Sequence, residues 1–280
     1  MNNLVAALNP IALSFGGLEI RWYGVIIAVG ILIAMTLASQ EAARKGLDGD
    51  FIVDMMFWVL PIGIIGARIY YVLFEWQYYL ANPGEIIQIW NGGIAVYGSL
   101  IAGILTIYFY TKRKGISFAL TLDILAPAVL IAQSIGRWGN FMNQEAHGGE
   151  VSRAFLEGLH LPAFIINQMN IDGIYYHPTF LYESLWSLLG FILILFLRRK
   201  EKTLRMGEVA LTYVMWYSFG RFFIEGMRTD SLYLFGPIRV SQFLSLFLFF
   251  GAGIIWAYRR RNNYPPDPYY PEIGKGKTVK

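Results

Sequence analysis

The sequence predicts an all-α protein that crosses a lipid bilayer about seven times. Hydrophobic residues make up 56% of the 280 positions and charged residues only 15%, whereas a soluble domain carries about a quarter charged residues. Apolar runs of about 17 or more residues recur along the chain, and each is long enough to span the hydrocarbon core as a helix. The lipid bilayer is therefore the first expected partner of this chain.

Seven spans are predicted, and one of the connections between them is much longer than the others. The spans are residues 20–39, 51–74, 94–110, 118–135, 179–197, 207–225 and 238–258. The long connection 136–178 is expected to form a small cap outside the membrane with short strands or amphipathic pieces. We predict a single transmembrane domain over residues 1–261, with this cap as an insertion, and a disordered cytoplasmic tail over the proline- and tyrosine-rich residues 262–280.

The basic residues indicate the orientation of the chain. Sixteen of the 23 lysines and arginines lie in the connections 40–50, 111–117 and 198–206 and in the segment from residue 259 to the end. Positive charge accumulates on the cytoplasmic side of membrane proteins, so we expect the N-terminus outside and the C-terminus in the cytoplasm. The net charge of +4 follows from this pattern, and no nucleic-acid partner is expected.

The other seven basic residues are all arginines, and all are predicted at the outer end of a span or in an outer loop. They are Arg21, Arg68, Arg137, Arg153, Arg221, Arg228 and Arg239. The planar guanidinium fork binds phosphate or carboxylate at two points, which lysine does not do. Each arginine could instead extend to the lipid headgroups, but the set as a whole favours an anionic ligand.

The densest polar stretch is residues 136–149, GRWGNFMNQEAHGG. If the fourth helix continues past residue 135, Arg137 and Asn140 share one face with Gln133. The stretch also contains three further candidate site residues, Asn143, Glu145 and Gly148. Gly136 and Gly139 leave the backbone open to the close approach of a ligand. The alternative is a polar helix end capped by water, but the density of polar residues favours a site.

A second polar stripe lies on the sixth span. Tyr217, Arg221, Glu225 and Arg228 follow one another at helical spacing near its outer end. The alternative is a simple Arg221–Glu225 pair within the helix, worth about 0.3–0.5 kcal/mol. Ionised pairs at membrane depth are costly unless they serve a cavity, which favours function.

Four other positions have two interpretations each. Arg68, beside small residues that allow close helix packing, is either structural or substrate-binding, and Glu183 in the fifth span is similarly placed. Tyr23 and Tyr97 are either site residues or aromatic anchors at the membrane interface. His177 is expected to order the outer loop rather than to catalyse.

Several chemistries are excluded by what the sequence lacks. The chain has three histidines and no cysteine, which leaves little scope for a metal site and excludes a cysteine nucleophile of its own. It contains no P-loop and no G-x-S-x-G or H-E-x-x-H motif. We therefore expect no metal and no cofactor. A transporter of an anionic solute and a purely structural or chaperone protein remain as alternatives, although a transporter would carry its arginines near the midplane.

Residues 136–145, followed by Gly148, resemble the signature of the prolipoprotein diacylglyceryl transferase family. The resemblance covers nearly the whole chain. It includes Trp22-Tyr23-Gly24, Gly66-Ala67-Arg68, Gly92-Gly93, His177-Pro178-Thr179 with Tyr182-Glu183, and the stripe from Tyr217 to Arg228.

This resemblance implies an enzyme that transfers the diacylglyceryl group of phosphatidylglycerol to the lipobox cysteine of a prolipoprotein signal peptide. The products would be a thioether and glycerol phosphate, in the first step of bacterial lipoprotein maturation. The enzyme would be a multi-pass protein of the bacterial cytoplasmic membrane with its active site toward the outer leaflet. The essential positions of the family correspond to Tyr23, Arg137, Asn140, Glu145, Gly148, Tyr217, Arg221 and Glu225.

One position departs from the family pattern. The family often carries a histidine in a His-Gly-Gly context, where this chain has Tyr97-Gly98-Ser99. A tyrosine, with a pKa near 10, is a poor base at neutral pH. The base is therefore expected elsewhere, or is not needed.

The resemblance leads to a mechanistic hypothesis in which the substrate supplies the nucleophile. Arg137 and Arg221 would stabilise the charge on the departing phosphate oxygen. Glu145, or a water beside Tyr97, would accept the proton of the thiol. The expected substrate-binding residues are Tyr23, Arg68, Asn140, Asn143, Gly148, Tyr217, Glu225 and Arg228, among which Tyr217 and Glu225 would hold Arg221 in place.

Overall fold

The computed structural model describes residues 8–200, 203–229, 233–235, 238–265 and 269, with the side chains of residues 18, 233–235 and 238 left aside. The predicted disorder of the tail falls mainly on residues 266–268 and 270–280, which lie outside the described part of the chain.

The described residues are mostly helical, as the sequence predicted. Ten α-helices are found, with two short 3-10 turns at Pro83–Glu85 and Ile89–Asn91. The helices are α1 Trp22–Arg44, α2 Phe51–Phe74, α3 Trp76–Ala81, α4 Val96–Lys114, α5 Phe118–Asn143, α6 Arg153–Gly158, α7 Ala163–Gln168, α8 Thr179–Arg199, α9 Glu208–Met227 and α10 Val240–Arg261.

Seven short strands within the described ranges form three small antiparallel sheets. The strands are β1 Ile11–Phe15, β2 Leu18–Arg21, β3 Glu150–Val151, β4 Asn170–Ile171, β5 Ile174–Tyr176, β6 Tyr233–Phe235 and β7 Ile238–Arg239. The first two pair as a hairpin, the next three form a sheet in the order β3-β5-β4, and the last two pair with each other.

Five helices of the described chain are long and apolar enough to cross a membrane, namely α1, α2, α5, α8 and α10. This confirms a multi-pass membrane protein. Helix α4 ends in three basic residues, and α9 contains Glu208, Arg221 and Glu225. Neither helix is among the five that are apolar enough to cross a membrane. The count of seven spans and the orientation of the termini stay predictions.

Helix α5 extends beyond the fourth predicted span. Helix α5 continues to Asn143 rather than ending at residue 135, so the first half of the polar stretch is helical. The extra turns are held by packing, because Phe141 and Phe180 are buried in one cluster with residues of α6 and α7, and Trp138 packs against it. As expected, the connection that follows holds short strands and helices.

Contacts divide the described chain into two compact units. One unit comprises the residues up to Leu37 together with those from Asp123 onward, and the other comprises Ala38–Leu122. In the second unit α2 packs on α4 through small residues, since a Cβ on Gly66 would overlap the side chain of Ala102 and a Cβ on Gly98 would overlap the backbone of Gly66. This is the close packing that the small residues predicted.

Candidate active site

The centre of the site is the carboxylate of Glu183, for which the sequence left a structural and a substrate-binding interpretation open. Glu183 lies in the second turn of α8 and is 5% exposed. Arg137 of α5 donates from Nη2 to Glu183 Oε2 at 2.6 Å, and Arg221 of α9 approaches the same oxygen at 3.3 Å. Arg228, which follows α9, lies 3.4 Å from Oε1. One buried carboxylate thus gathers three guanidinium groups.

A second carboxylate completes this set. Glu225 lies one turn after Arg221 on α9, is 2% exposed, and contacts Nη2 of Arg221 at 2.5 Å. We call Arg137, Glu183, Arg221, Glu225 and Arg228 the arginine–glutamate cluster. Its three guanidinium groups and two carboxylates lie in a largely buried place. The predicted stripe on α9 is therefore joined to Arg137 of α5.

The relative register of α8 and α9 is fixed by a pair of tryptophans. Trp186 and Trp216 stack with their ring centroids 4.2 Å apart, and each indole N–H donates to the backbone carbonyl of the other residue at 3.0 Å. Gly190 and Gly220 make room for the rings, because a Cβ on either would overlap the indole of the opposite helix. We call these four residues the tryptophan clasp. Since Trp186 follows Glu183 by three residues and Gly220 precedes Arg221, the clasp aligns the carboxylate with the guanidinium.

The end of α5 brings the predicted polar residues together. Asn140 accepts from Arg137 Nη1 at 3.5 Å and donates from Nδ2 to Glu145 Oε1 at 3.0 Å. Gln144 and Ala146 adopt left-handed backbone angles, with φ of 54° and 57°, which turns the chain back at the end of the helix. Glu145 is exposed. The hydrogen bonds of Asn140 therefore connect the buried cluster to a carboxylate that solvent can reach.

Asn143 lies on the rim of a neighbouring pocket. The pocket has a volume of about 390 Å³, and Arg21, Asn143 and Glu145 are among the residues that line it. Oδ1 of Asn143 is buried without a hydrogen-bond partner among the described residues. Such an atom carries a desolvation cost of about 1–3 kcal/mol, which a ligand that supplies a donor would reduce.

Side chains of α1 cover Gly136 and Gly139, two glycines that were expected to lie open to a ligand. The ring of Tyr23 covers Gly139, since a Cβ there would lie 2.8 Å from the ring, and Ile27 covers Gly136 in the same way at 3.2 Å. The expectation that a ligand approaches the backbone at these glycines is therefore wrong, because side chains of α1 fill the space. Tyr23 keeps an exposed fraction of 37%.

Gly148 holds the loop to the end of α9. Its N–H donates to the carbonyl of His177 at 3.0 Å, and it forms a bridge with Arg228. A Cβ on Gly148 would lie 2.6 Å from Cβ of His177. Gly148 thus positions the backbone of Arg228, and its assignment to substrate binding stays a prediction. The amide of His177 bonds in return to the carbonyl of Gly149, so the histidine orders the loop as expected, and burial lowers its pKa below the ordinary value.

The sixth span adds two stacked tyrosines. Tyr217 stacks on Tyr213 with a centroid separation of 6.1 Å, and Tyr213 Oη accepts from Nε2 of Gln133 at 3.2 Å. Tyr217 precedes Arg221 by one helical turn. Its proposed role in holding Arg221 stays a prediction.

Arg68 and Tyr97 belong to the second unit. Arg68 donates to the backbone carbonyls of Glu85, Ile86, Gly92 and Gly93 at 2.7–2.8 Å. These four bonds use four of the five guanidinium donors and favour the structural interpretation of Arg68. Its assignment to substrate binding is untested, as is the catalytic assignment of Tyr97, which is half-buried in the first turn of α4.

Sequence reasoning missed the central role of Glu183. One feature of the sequence could have indicated this role. An acidic residue near the start of an apolar helix needs a cationic partner at membrane depth. Seven outer arginines were candidates for that partner, and the spacing along the chain did not say which of them would meet it.

Comparisons with known proteins identify the family of this chain. The family model described as prolipoprotein diacylglyceryl transferase matches residues 10–258. Proteins named phosphatidylglycerol–prolipoprotein diacylglyceryl transferase are similar to this chain over nearly their full length. The protein from Listeria welshimeri is 59% identical, with 100% of this chain and 99% of the relative covered. The proteins from Pediococcus pentosaceus and Bacillus velezensis are each 54% identical, with 97% and 96% of this chain and 98% of each relative covered. The chain therefore belongs to the prolipoprotein diacylglyceryl transferase family.

Proposed function

We propose that the arginine–glutamate cluster holds the phosphate of a phosphatidylglycerol headgroup while the diacylglyceryl group passes to a cysteine thiol. The enzyme is a phosphatidylglycerol–prolipoprotein diacylglyceryl transferase, as its full-length relatives are named, and it acts at the first step of lipoprotein maturation. The acceptor is the lipobox cysteine at the end of a prolipoprotein signal peptide.

The observation that carries the proposal is the convergence of Arg137, Arg221 and Arg228 on one carboxylate. A guanidinium fork suits phosphate oxygens as well as carboxylate oxygens. Three guanidinium groups already lie within 3.4 Å of one carboxylate, so a phosphate that reaches this place meets arginine donors that are already oriented. In this role Glu183 orients the arginines in the absence of lipid and shares them with the phosphate when lipid is bound.

The reaction is a displacement at the glyceryl carbon that carries the phosphate ester. Sulfur forms a bond to that carbon, the carbon–oxygen bond breaks, and the electron pair leaves with the oxygen of glycerol phosphate. Negative charge therefore grows on a phosphate oxygen, where Arg137 and Arg221 stabilise it. Preorganised donors of this kind are usually the largest catalytic contribution, and loss of one costs about 2.7–4 kcal/mol.

The thiol proton must leave during the same step. A cysteine with a pKa near 8.5 is a few per cent thiolate at neutral pH, so only a modest base is needed. Glu145 is exposed, and Asn140 joins it to Arg137. We assign Glu145 as the proton acceptor, directly or through water. A water beside Tyr97 is the alternative acceptor.

The membrane placement is part of the same proposal. Helices α4 and α9 complete the five apolar helices to seven spans, and the positive-inside pattern places the N-terminus outside. The cluster then faces the outer leaflet of the bacterial cytoplasmic membrane. Phosphatidylglycerol reaches it from the bilayer, and the acceptor cysteine comes from a secreted preprotein.

The test uses purified protein in liposomes that contain phosphatidylglycerol labelled in its acyl chains. A lipobox peptide is added, and its mass is measured with time. We expect one diacylglyceryl group on the cysteine and release of glycerol phosphate, with no change in a peptide whose cysteine is replaced by serine. An unmodified cysteine peptide in the presence of folded protein would refute the proposed function. Movement of an anionic solute across the liposome without covalent transfer would instead support a transporter.

A further inference from the structure

The β1–β2 hairpin precedes α1 without a linker. The two strands pair antiparallel, with Leu13 opposite Ile20 and Ser14 opposite Glu19. Gly16 and Gly17 form the turn with positive φ angles of 55° and 87°. The next residue after β2 begins α1, one of the five helices able to span a membrane. The hairpin is therefore held at the N-terminal end of a membrane helix.

The two faces of the hairpin differ in polarity. Side chains alternate between the faces of a strand, and directly opposed residues share a face. Leu13, Phe15 and Ile20 lie on one face, with exposed fractions of 66%, 86% and 43%. Ser14 and Glu19 lie on the other face and are exposed as well. The hairpin is thus amphipathic, and its apolar face is uncovered.

An uncovered apolar face is a poor arrangement for a hairpin in water. An isolated two-stranded hairpin is at best marginally stable in water, and further layers that cover an apolar face are what stabilise it. Among the described residues, no third strand pairs with the β1–β2 sheet. Burial of apolar surface contributes about 25 cal/mol per Å², so a covering surface would stabilise the hairpin appreciably.

We propose that the apolar face of the β1–β2 hairpin inserts into the lipid surface around the N-terminal end of α1. The occupant of this face is the boundary between headgroups and acyl chains, with Phe15 at the deepest point. Bilayer continuity supports this choice, because the helix that directly follows is expected to be surrounded by the same leaflet. Trp22, at the start of α1, is 41% exposed and belongs to a residue type enriched at this boundary.

The insertion has a consequence for the neighbouring pocket. Arg21 shares the polar face with Glu19 and lines the pocket near Glu145. An amphipathic element that lies in the interface buries its apolar face by about 5–10 Å. The inserted hairpin would therefore hold Arg21 and the pocket mouth at the level of the lipid phosphates. This inference concerns lipid contact alone and does not depend on the proposed transfer reaction.

The test exploits the absence of cysteine from the chain. A nitroxide label is attached to Phe15→Cys, to Leu13→Cys on the same face, to Ser14→Cys on the opposite face, and to Glu157→Cys on the exposed α6 as an aqueous control. Each full-length variant is reconstituted in nanodiscs of phosphatidylcholine and phosphatidylglycerol. Collision rates of the label with oxygen and with a water-soluble nickel chelate are then measured.

We expect the labels at 15 and 13 to collide more with oxygen than with the nickel chelate. The labels at 14 and 157 should show the reverse. A label at 15 that is as accessible to nickel as the one at 157 would overturn the proposal. So would a label at 15 that is protected from both reagents, since that result would mean that protein, such as a second copy of the chain, covers the face.

Discussion

Replacement of Arg137 by lysine separates two-point phosphate binding from simple charge. Arg137 uses its two arms in different directions, with Nη2 on Glu183 at 2.6 Å and Nη1 toward Asn140 at 3.5 Å. A lysine ammonium keeps the positive charge but concentrates it on one nitrogen atom. It can therefore bind the Glu183 carboxylate or the phosphate, but it cannot replace both guanidinium nitrogens of Arg137. Loss of one preorganised donor corresponds to about a 10²–10³-fold loss of rate.

The assay for Arg137→Lys measures transfer to the lipobox peptide under single-turnover conditions over a range of phosphatidylglycerol fractions. The control is Arg153→Lys, because Arg153 is an exposed residue of α6 whose partners within the described part of the chain are Glu157 and Tyr175. We expect a large loss of rate in the first variant, near-normal rate in the second, and similar thermal unfolding in both. Near-normal transfer by Arg137→Lys would refute two-point binding of the phosphate.

Four further outcomes are expected. Tyr97→Phe should retain appreciable transfer in the same peptide assay, and an inactive but folded variant would show that its hydroxyl is needed. Gly220→Ala should overpack the tryptophan clasp and destabilise the protein by about 1–3 kcal/mol in thermal unfolding. The control Gly251→Ala adds a Cβ with no atom within 4 Å and should not destabilise it. Equal melting temperatures of the two variants would contradict the tight packing of the clasp. Glu183→Gln should leave three guanidinium groups without their shared carboxylate and cost about 3–5 kcal/mol, and an unchanged melting temperature would argue against a buried ion cluster. Burial lowers the pKa of His177 in the folded protein, so the unfolded chain protonates this residue at a higher pH than the folded protein does. The free energy of unfolding should therefore fall as the pH drops below about 6.5, and His177→Gln should weaken this pH dependence.

The sequence predicted the membrane class and the neighbouring positions of residues on one helix, because both depend on local signals. Apolar runs of sufficient length predict membrane-spanning helices. The spacing of Arg221 and Glu225 places the two residues together on a helix whatever the tertiary fold. The end of α5 was not predictable in the same way. Its last turns are stabilised by packing of Phe141 against Phe180, a contact between residues that are distant in the chain.

The partners of the arginines were also beyond local reasoning. Glu183 meets Arg221 because the tryptophan clasp fixes the register of α8 against α9, and it meets Arg137 because Ser134 of α5 and Ser184 of α8 are hydrogen-bonded. The sequence contains Trp186 and Trp216, but their reciprocal hydrogen bonds depend on a helix pairing that spacing alone does not define. Similarly, glycine at position 139 signalled close approach correctly, yet the approaching group is a side chain of α1 and not a ligand.

The central claim is that Arg137 contacts the phosphate of a bound phospholipid. The most direct measurement is the dipolar coupling between lipid phosphorus and the guanidinium nitrogens of ¹⁵N-arginine-labelled protein in phosphatidylglycerol bilayers, with the Arg137 signal identified by its loss in Arg137→Lys. We expect strong dephasing of the Arg137 signal by phosphorus at the short distance of a charge-assisted hydrogen bond. Dephasing no greater than that of exposed Arg153 would contradict it.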